Sequence, residues 1–185
     1  MRKTKTDKLP PISKGGMPCK CKIPYKSYPE AKEWGPVLWT ILHGIAERVG
    51  TGPFPQYQND ERRGLANLFV KVGHMIPCPS CKEHYEVFLK ENPVAQSIKT
   101  LPYAELRPFV RSWFWRLHDM VNESKGITSP PIDTLPALYG NANLRMATAQ
   151  LREPMLRAIK IAGKLFIAYH ECVACIRSLL SIYGV

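Results

Sequence analysis

The order of apolar and polar positions along the chain predicts helices. Trp34, Leu38, Ile41, Leu42 and Ile45 recur at three- and four-residue intervals, which marks a first helix over about residues 30 to 49. Gly50, Gly52, Pro53 and Pro55 then make a loop. Leu65, Leu68, Phe69 and Val72 form the inner face of a second helix from about Asp60 to His74, capped by Asn59 or Asp60. Pro77 stops it. A third helix opens at Cys78-Pro79-Ser80-Cys81 and runs to about Lys90; Pro79 suits a first-turn position, where its missing N–H costs nothing. Pro93 and Pro102 bound a linker. Leu106, Phe109, Val110, Trp113, Leu117 and Val121 place a fourth helix over about Tyr103 to Lys125. A Pro-rich crossing follows at Pro130, Pro131 and Pro136, and a last helical stretch, broken or kinked at Pro154, reaches about Tyr183. No segment alternates cleanly as a strand would, so the fold class is all-α.

Composition changes this picture in one respect. The chain has 185 residues, 45% of them hydrophobic, enough for a core. The net charge is +11, which raises the question of a nucleic-acid partner. The charge is concentrated, however. Residues 1–32 hold nine Lys or Arg against Asp7 and Glu30, so that stretch alone carries +7. Five prolines and two glycines interrupt residues 1–29, which read as a flexible, solvated basic tail rather than a nucleic-acid surface. The N-terminus lacks the apolar run of a signal peptide, and no stretch is read as long and apolar enough to cross a bilayer. The expectation is a cytoplasmic protein with no membrane partner. In that setting six cysteines point to catalysis or metal binding rather than to structural disulfides.

Cys78 and Cys81 carry the candidate chemistry. Two cysteines that straddle a helix start can close a small disulfide, and the unpaired N–H groups and dipole of that helix stabilise a thiolate. The thiolate is the form that attacks disulfides. Zinc is the competing reading, because His84 follows three residues after Cys81 and Cys19-x-Cys21 could complete four ligands. Spacing alone leaves both open. With zinc would go a nucleic-acid role for the basic tail. A helical scaffold with incidental cysteines is a third possibility.

Three blocks, taken together and in order, resemble the Erv/ALR family of FAD-linked sulfhydryl oxidases. They are Trp34-Gly35-Pro36-x-x-Trp39-x-x-Leu42-His43, then Pro77-Cys78-x-x-Cys81 with His84, then Trp113 to Asn122 with His118-Asp119-x-Val121-Asn122. The likeness covers about residues 33 to 127 and looks most like the short members from large DNA viruses. It implies a four-helix bundle that binds FAD over residues 30–127, usually as a homodimer. It also implies a role for each matched residue. Gly35, Trp39 and His43 would meet the cofactor from the first helix. Cys81 and His84 would do so from the third, and Trp113, His118, Val121 and Asn122 from the fourth. Cys81 would sit against the isoalloxazine and Cys78 would exchange with incoming thiols. Where the family ends in Leu-Gly-Lys this chain has Lys125-Gly126-Ile127, which makes Lys125 the candidate for the lost cationic contact.

Two further cysteine pairs remain. Cys19 and Cys21 are shuttle candidates, since the family often relays electrons through a disulfide on an arm. Cys172 and Cys175 lie in the last helix on an apolar stripe, as a structural disulfide, a second shuttle or packing residues. Residues 128–185 read as a helical extension on the bundle or at a dimer interface. The partners implied are dithiol proteins, a thioredoxin-like relay and oxygen. The setting, for a viral chain, is the host-cell cytoplasm or the virion.

Overall fold

A computed structural model describes residues 28–52 and 54–185. The described residues form eight α-helices and no strand: α1 (Ala31–Arg48), α2 (Gln58–Met75), α3 (Pro79–Glu91), α4 (Ala95–Thr100), α5 (Tyr103–Glu123), α6 (Leu135–Tyr139), α7 (Leu144–Ile161) and α8 (Leu165–Ile182). Periodicity locates α1, α2, α3 and α5 to within about two residues at each end. The short α4 and α6 fall in the two segments read as a linker and a Pro-rich crossing. The final stretch divides at Ala162, Gly163 and Lys164, not at Pro154. Pro154 is buried in the face that α7 turns to the core, and that packing offsets the hydrogen bond the ring removes.

The helices surround one core. Phe69 stacks on Phe114 with ring centres 4.7 Å apart, and Trp113 meets Phe69, Tyr85, Phe88 and Phe114 edge-on. Arg111 grips Glu47 with two nitrogens at 2.7 and 2.5 Å, tying α5 to α1.

The extension joins that core through two antiparallel helix pairs. In the first, α7 lies on α1: Arg157 pairs with Glu33, Leu144 fills the notch over Gly44, and Arg48 donates to the Ala142 carbonyl. In the second, α8 lies on α2: Leu179 fills the notch over Gly64, Cys175 donates to the Gly64 carbonyl, and Lys71 pairs with Glu171 at 2.9 Å. A Cβ at Gly44 would come within 2.4 Å of Leu144, and one at Gly64 within 2.8 Å of Leu179. Both positions are therefore held to glycine by close helix approach.

One expectation needs correcting here. Helix α8, with mean hydropathy 1.5 over 18 residues, is long and apolar enough by composition to cross a membrane. Leu165, Tyr169, Cys172, Val173, Ile176, Leu179 and Leu180 on it are buried within the protein, while Phe166 and Ile167 are exposed. A core helix passes the same length-and-composition test, because burial in a protein and burial in lipid select the same side chains.

Candidate functional site

The site begins at the junction of α2 and α3. Pro77 and Pro79 flank Cys78, which caps α3, and the Cys78 sulfur accepts from the Cys81 N–H at 3.2 Å. The two sulfurs are joined in a disulfide, with Cα atoms 5.2 Å apart. Ser80 lies 3.3 Å from the Cys78 sulfur. The free backbone N–H groups and positive end of α3 favour a thiolate here once the bond is reduced.

Behind Cys81 opens an apolar cleft of about 350 Å³ between α1, α2, α3 and α5. Trp34, Leu38 and Trp39 wall one side, and Leu117, Val121 and Tyr85 the others. Lys32, Asn122 and Lys125 supply its polar groups. Cys81 lines the cleft and Cys78 does not, so one disulfide joins an inner sulfur to an outer one. A few polar groups in an apolar hollow of this size are what a small-molecule site requires.

Beside the cleft stands a ladder of rings. Trp39 stacks on His118 at 4.1 Å and 11°. His118 meets His43 through Nδ1 and Nε2, 2.9 Å apart, and His43 stacks on Tyr139 at 4.7 Å. The profile of the Erv1 / Alr family matches residues 36–134, more than half of the chain. The chain belongs to the Erv1 / Alr family. It is also 30% identical over 109 residues to a protein described as FAD-linked sulfhydryl oxidase ERV1 from Oryza sativa subsp. japonica, covering 59% of this chain and 50% of that one. The chain thus spans about half the length of the curated relative it matches. No solved structure matches it.

The matched Erv1 / Alr segment does not contain the whole cleft. Trp34 and Gly35 lie just before it; Tyr139, in the ring ladder beside the cleft, lies past its end. Gly35, Trp39, Cys81, Val121, Asn122 and Lys125 all line the cleft. A Cβ at Gly35 would meet nothing within 4 Å, so the fold itself does not require glycine there. His43 and His118 sit one layer out, reaching the cleft through Trp39. His84 is exposed and outside the cleft. Trp113 is fully buried in the core and also outside it, its Nε1 donating to the Asn92 carbonyl at 2.8 Å. Cys19 and Cys21 fall outside the described residues. Cys172 and Cys175 are free thiols; burial pushes Cys172 up to about 12, a value that leaves it inert as a nucleophile at neutral pH.

Among the cleft residues that sequence does not assign to the site, Trp34 and Tyr85 are the two large rings. Trp34 reads as a core aromatic by spacing, yet its Nε1 is buried in the structure without a partner. Tyr85 sits four residues after Cys81 and takes the inward place on α3. No sequence signal separates these from ordinary core positions.

Burial first, then the neighbouring His118, pulls His43 down to about 3. Burial and Lys125, against the opposing pull of Asp119, bring His118 down to about 4. Both rings are neutral at pH 7, and one N–H donates to the other's bare nitrogen. Unfolded, each would take up a proton from about pH 6.5 downward. The folded chain refuses those protons until about 4 and 3. Stability is therefore complete above about pH 6.5 and falls as pH drops through that window. At pH 5 His43 is expected to cost about 2 kcal/mol of stability. His118 is only half-buried and adds less, because solvent screens it. Denaturant melts at pH 7.5 and pH 5 measure the loss, and His43→Asn should shrink it.

Proposed function

We propose that this chain is an FAD-dependent sulfhydryl oxidase that makes disulfides in dithiol proteins. The observation that carries the reading is the unequal placement of the two sulfurs, Cys81 in the cleft wall and Cys78 outside it. A substrate thiolate attacks the Cys78 sulfur, breaking the Cys78–Cys81 bond and freeing Cys81 as a thiolate. A second substrate thiolate then attacks the mixed disulfide and releases Cys78, so the substrate leaves with a new disulfide. The positive end of α3 holds the freed thiolate against the cleft.

The residues present fit the cofactor. The cleft is apolar and walled by indole rings, with an unpartnered indole N–H from Trp34 and open space over Gly35. Its volume suits a flat ring system; the rest of a dinucleotide would extend past it. Trp34, Trp39, Val121, Asn122 and Lys125 would hold the group, and His43 and His118 would brace Trp39. The chemistry a bound FAD would supply is two-electron acceptance from the cysteine pair and delivery to oxygen, giving hydrogen peroxide.

Cys19 and Cys21 serve in this reading as the relay pair. Tyr28 donates to the Pro77 carbonyl at 2.8 Å, which fixes that point of the chain beside Cys78. Cys21 lies seven residues earlier, a length that spans at most about 25 Å. A thioredoxin-like relay protein and a homodimer complete the reading; the faces of α1 and α2 beneath α7 and α8 are not available for pairing. Zinc is less well supported, since the sulfurs it needs are joined and no third ligand group stands with them among the described residues.

Colour tests the proposal. The purified protein should be yellow, with a flavin spectrum that bleaches under anaerobic dithiothreitol and returns with air. A colourless protein that takes up no added FAD would sink it.

A further inference from the structure

The α7–α8 turn lies outside the family match and at the same end of the molecule as the disulfide. Along α1 and α7 the contacts run Gly44 to Leu144 and Glu33 to Arg157, so the turn at residues 161–164 comes level with the start of α1. Along α2 and α8 they run Gly64 to Leu179 and Lys71 to Glu171. Continuing that register brings Phe166 level with Ile76, two residues before Cys78. The Tyr28–Pro77 hydrogen bond independently joins the start of α1 to the same place. One end of the molecule thus carries the outer sulfur, the point where residues 1–27 join the described chain, and the α7–α8 turn.

Three exposed apolar side chains gather at that turn. Ile161, Phe166 and Ile167 are 52%, 53% and 68% exposed. They are interleaved with Lys160 and Lys164, neither of which lies in an ion pair among the described residues. Glu30, Glu33 and Glu171 at this end pair with Lys32, Arg157 and Lys71, while Glu83 on α3 has no ion pair among the described residues. An apolar tip flanked by Lys160 and Lys164 complements an apolar segment of an acidic protein.

We propose that the α7–α8 turn is the docking surface for the protein substrate, and that it selects acidic, incompletely folded dithiol proteins. The proposal rests on the oxidase reading and adds substrate choice to it. Such chains expose apolar segments together with their free thiols. A turn that holds one of those segments raises the local concentration of the thiols at Cys78.

The test compares two reduced, unfolded proteins, acidic α-lactalbumin and basic ribonuclease A, with dithiothreitol as the small substrate. The F166S/I167S double variant removes exposed side chains and should fold normally. It is expected to raise KM for α-lactalbumin about tenfold, with kcat and dithiothreitol turnover unchanged. K160E/K164E should raise KM for α-lactalbumin and lower it for ribonuclease A. Unchanged KM for both proteins in both variants would overturn the proposal. So would unchanged KM accompanied by lost binding to phosphatidylserine vesicles, which would make the turn a lipid-facing surface instead. If the unaltered chain fails to oxidise even dithiothreitol, the oxidase reading itself falls and takes this one with it.

Discussion

Cys81→Ser is expected to lower kcat/KM for dithiothreitol by at least about 10³-fold, some 4 kcal/mol of barrier. The variant should keep its bound flavin, because the cleft is walled by indoles and aliphatic side chains that the change does not touch. Cys78→Ser should be as inactive, for a different reason. It removes the sulfur that substrate attacks while leaving the inner thiol in place. Serine is a favoured helix cap, so this variant should fold as well as the parent. The two variants part company on incubation with substrate thiols and a mild oxidant. Cys81→Ser keeps the outer sulfur and should trap a mixed disulfide at Cys78, visible as a mass increase. Oxygen uptake measures the rate. Activity surviving in Cys81→Ser would mean that electrons leave by a route other than the cleft.

Trp113→Ala should be the most damaging change to stability, costing about 3–5 kcal/mol. It empties the place where Phe69, Tyr85, Phe88 and Phe114 converge and strands the Asn92 carbonyl that the indole now satisfies. Trp113→Phe keeps most of the volume and should cost much less. The family likeness suggests a different job for this residue, a cofactor contact, and the two accounts diverge in urea melts of the flavin-free protein. A core tryptophan lowers the midpoint with or without flavin. A cofactor contact would leave the flavin-free midpoint where it was and weaken only flavin affinity.

The opposite assignments of Trp113 and Trp34 show what sequence can and cannot carry. Both recur at helical spacing, and both flank a family block. Spacing reports that a side chain faces inward, but not whether the space it faces holds another side chain or is left open. Trp113 faces neighbouring rings; Trp34 faces the cleft. The same limit applies on α3. His84 and Tyr85 are three and four residues past Cys81, and helix geometry allows either to share its face. In the folded chain the apolar ring takes the inward place and the imidazole goes to solvent. That Gly35, Trp39, Val121 and Asn122 share one cleft was legible because the motif names positions, not merely faces. The helices were legible because a 3.6-residue period stands out over four or five turns. It does not over the six residues of α4 or the five of α6. Pro154 misled for a tertiary reason, since packing on α1 sustains a helix that local preference would end.

The glycine notches also set an order of events. Gly44 and Gly64, in the first half of the chain, receive leucines from positions 144 and 179. The faces of α1 and α2 must therefore wait, apolar and uncovered, while a hundred or more residues are synthesised behind them. Contacts this distant in sequence slow folding and prolong the exposure of sticky surface in the growing chain. A chain stalled before α8 would leave the Gly64 notch open, so α8 is the piece whose arrival covers the α2 face.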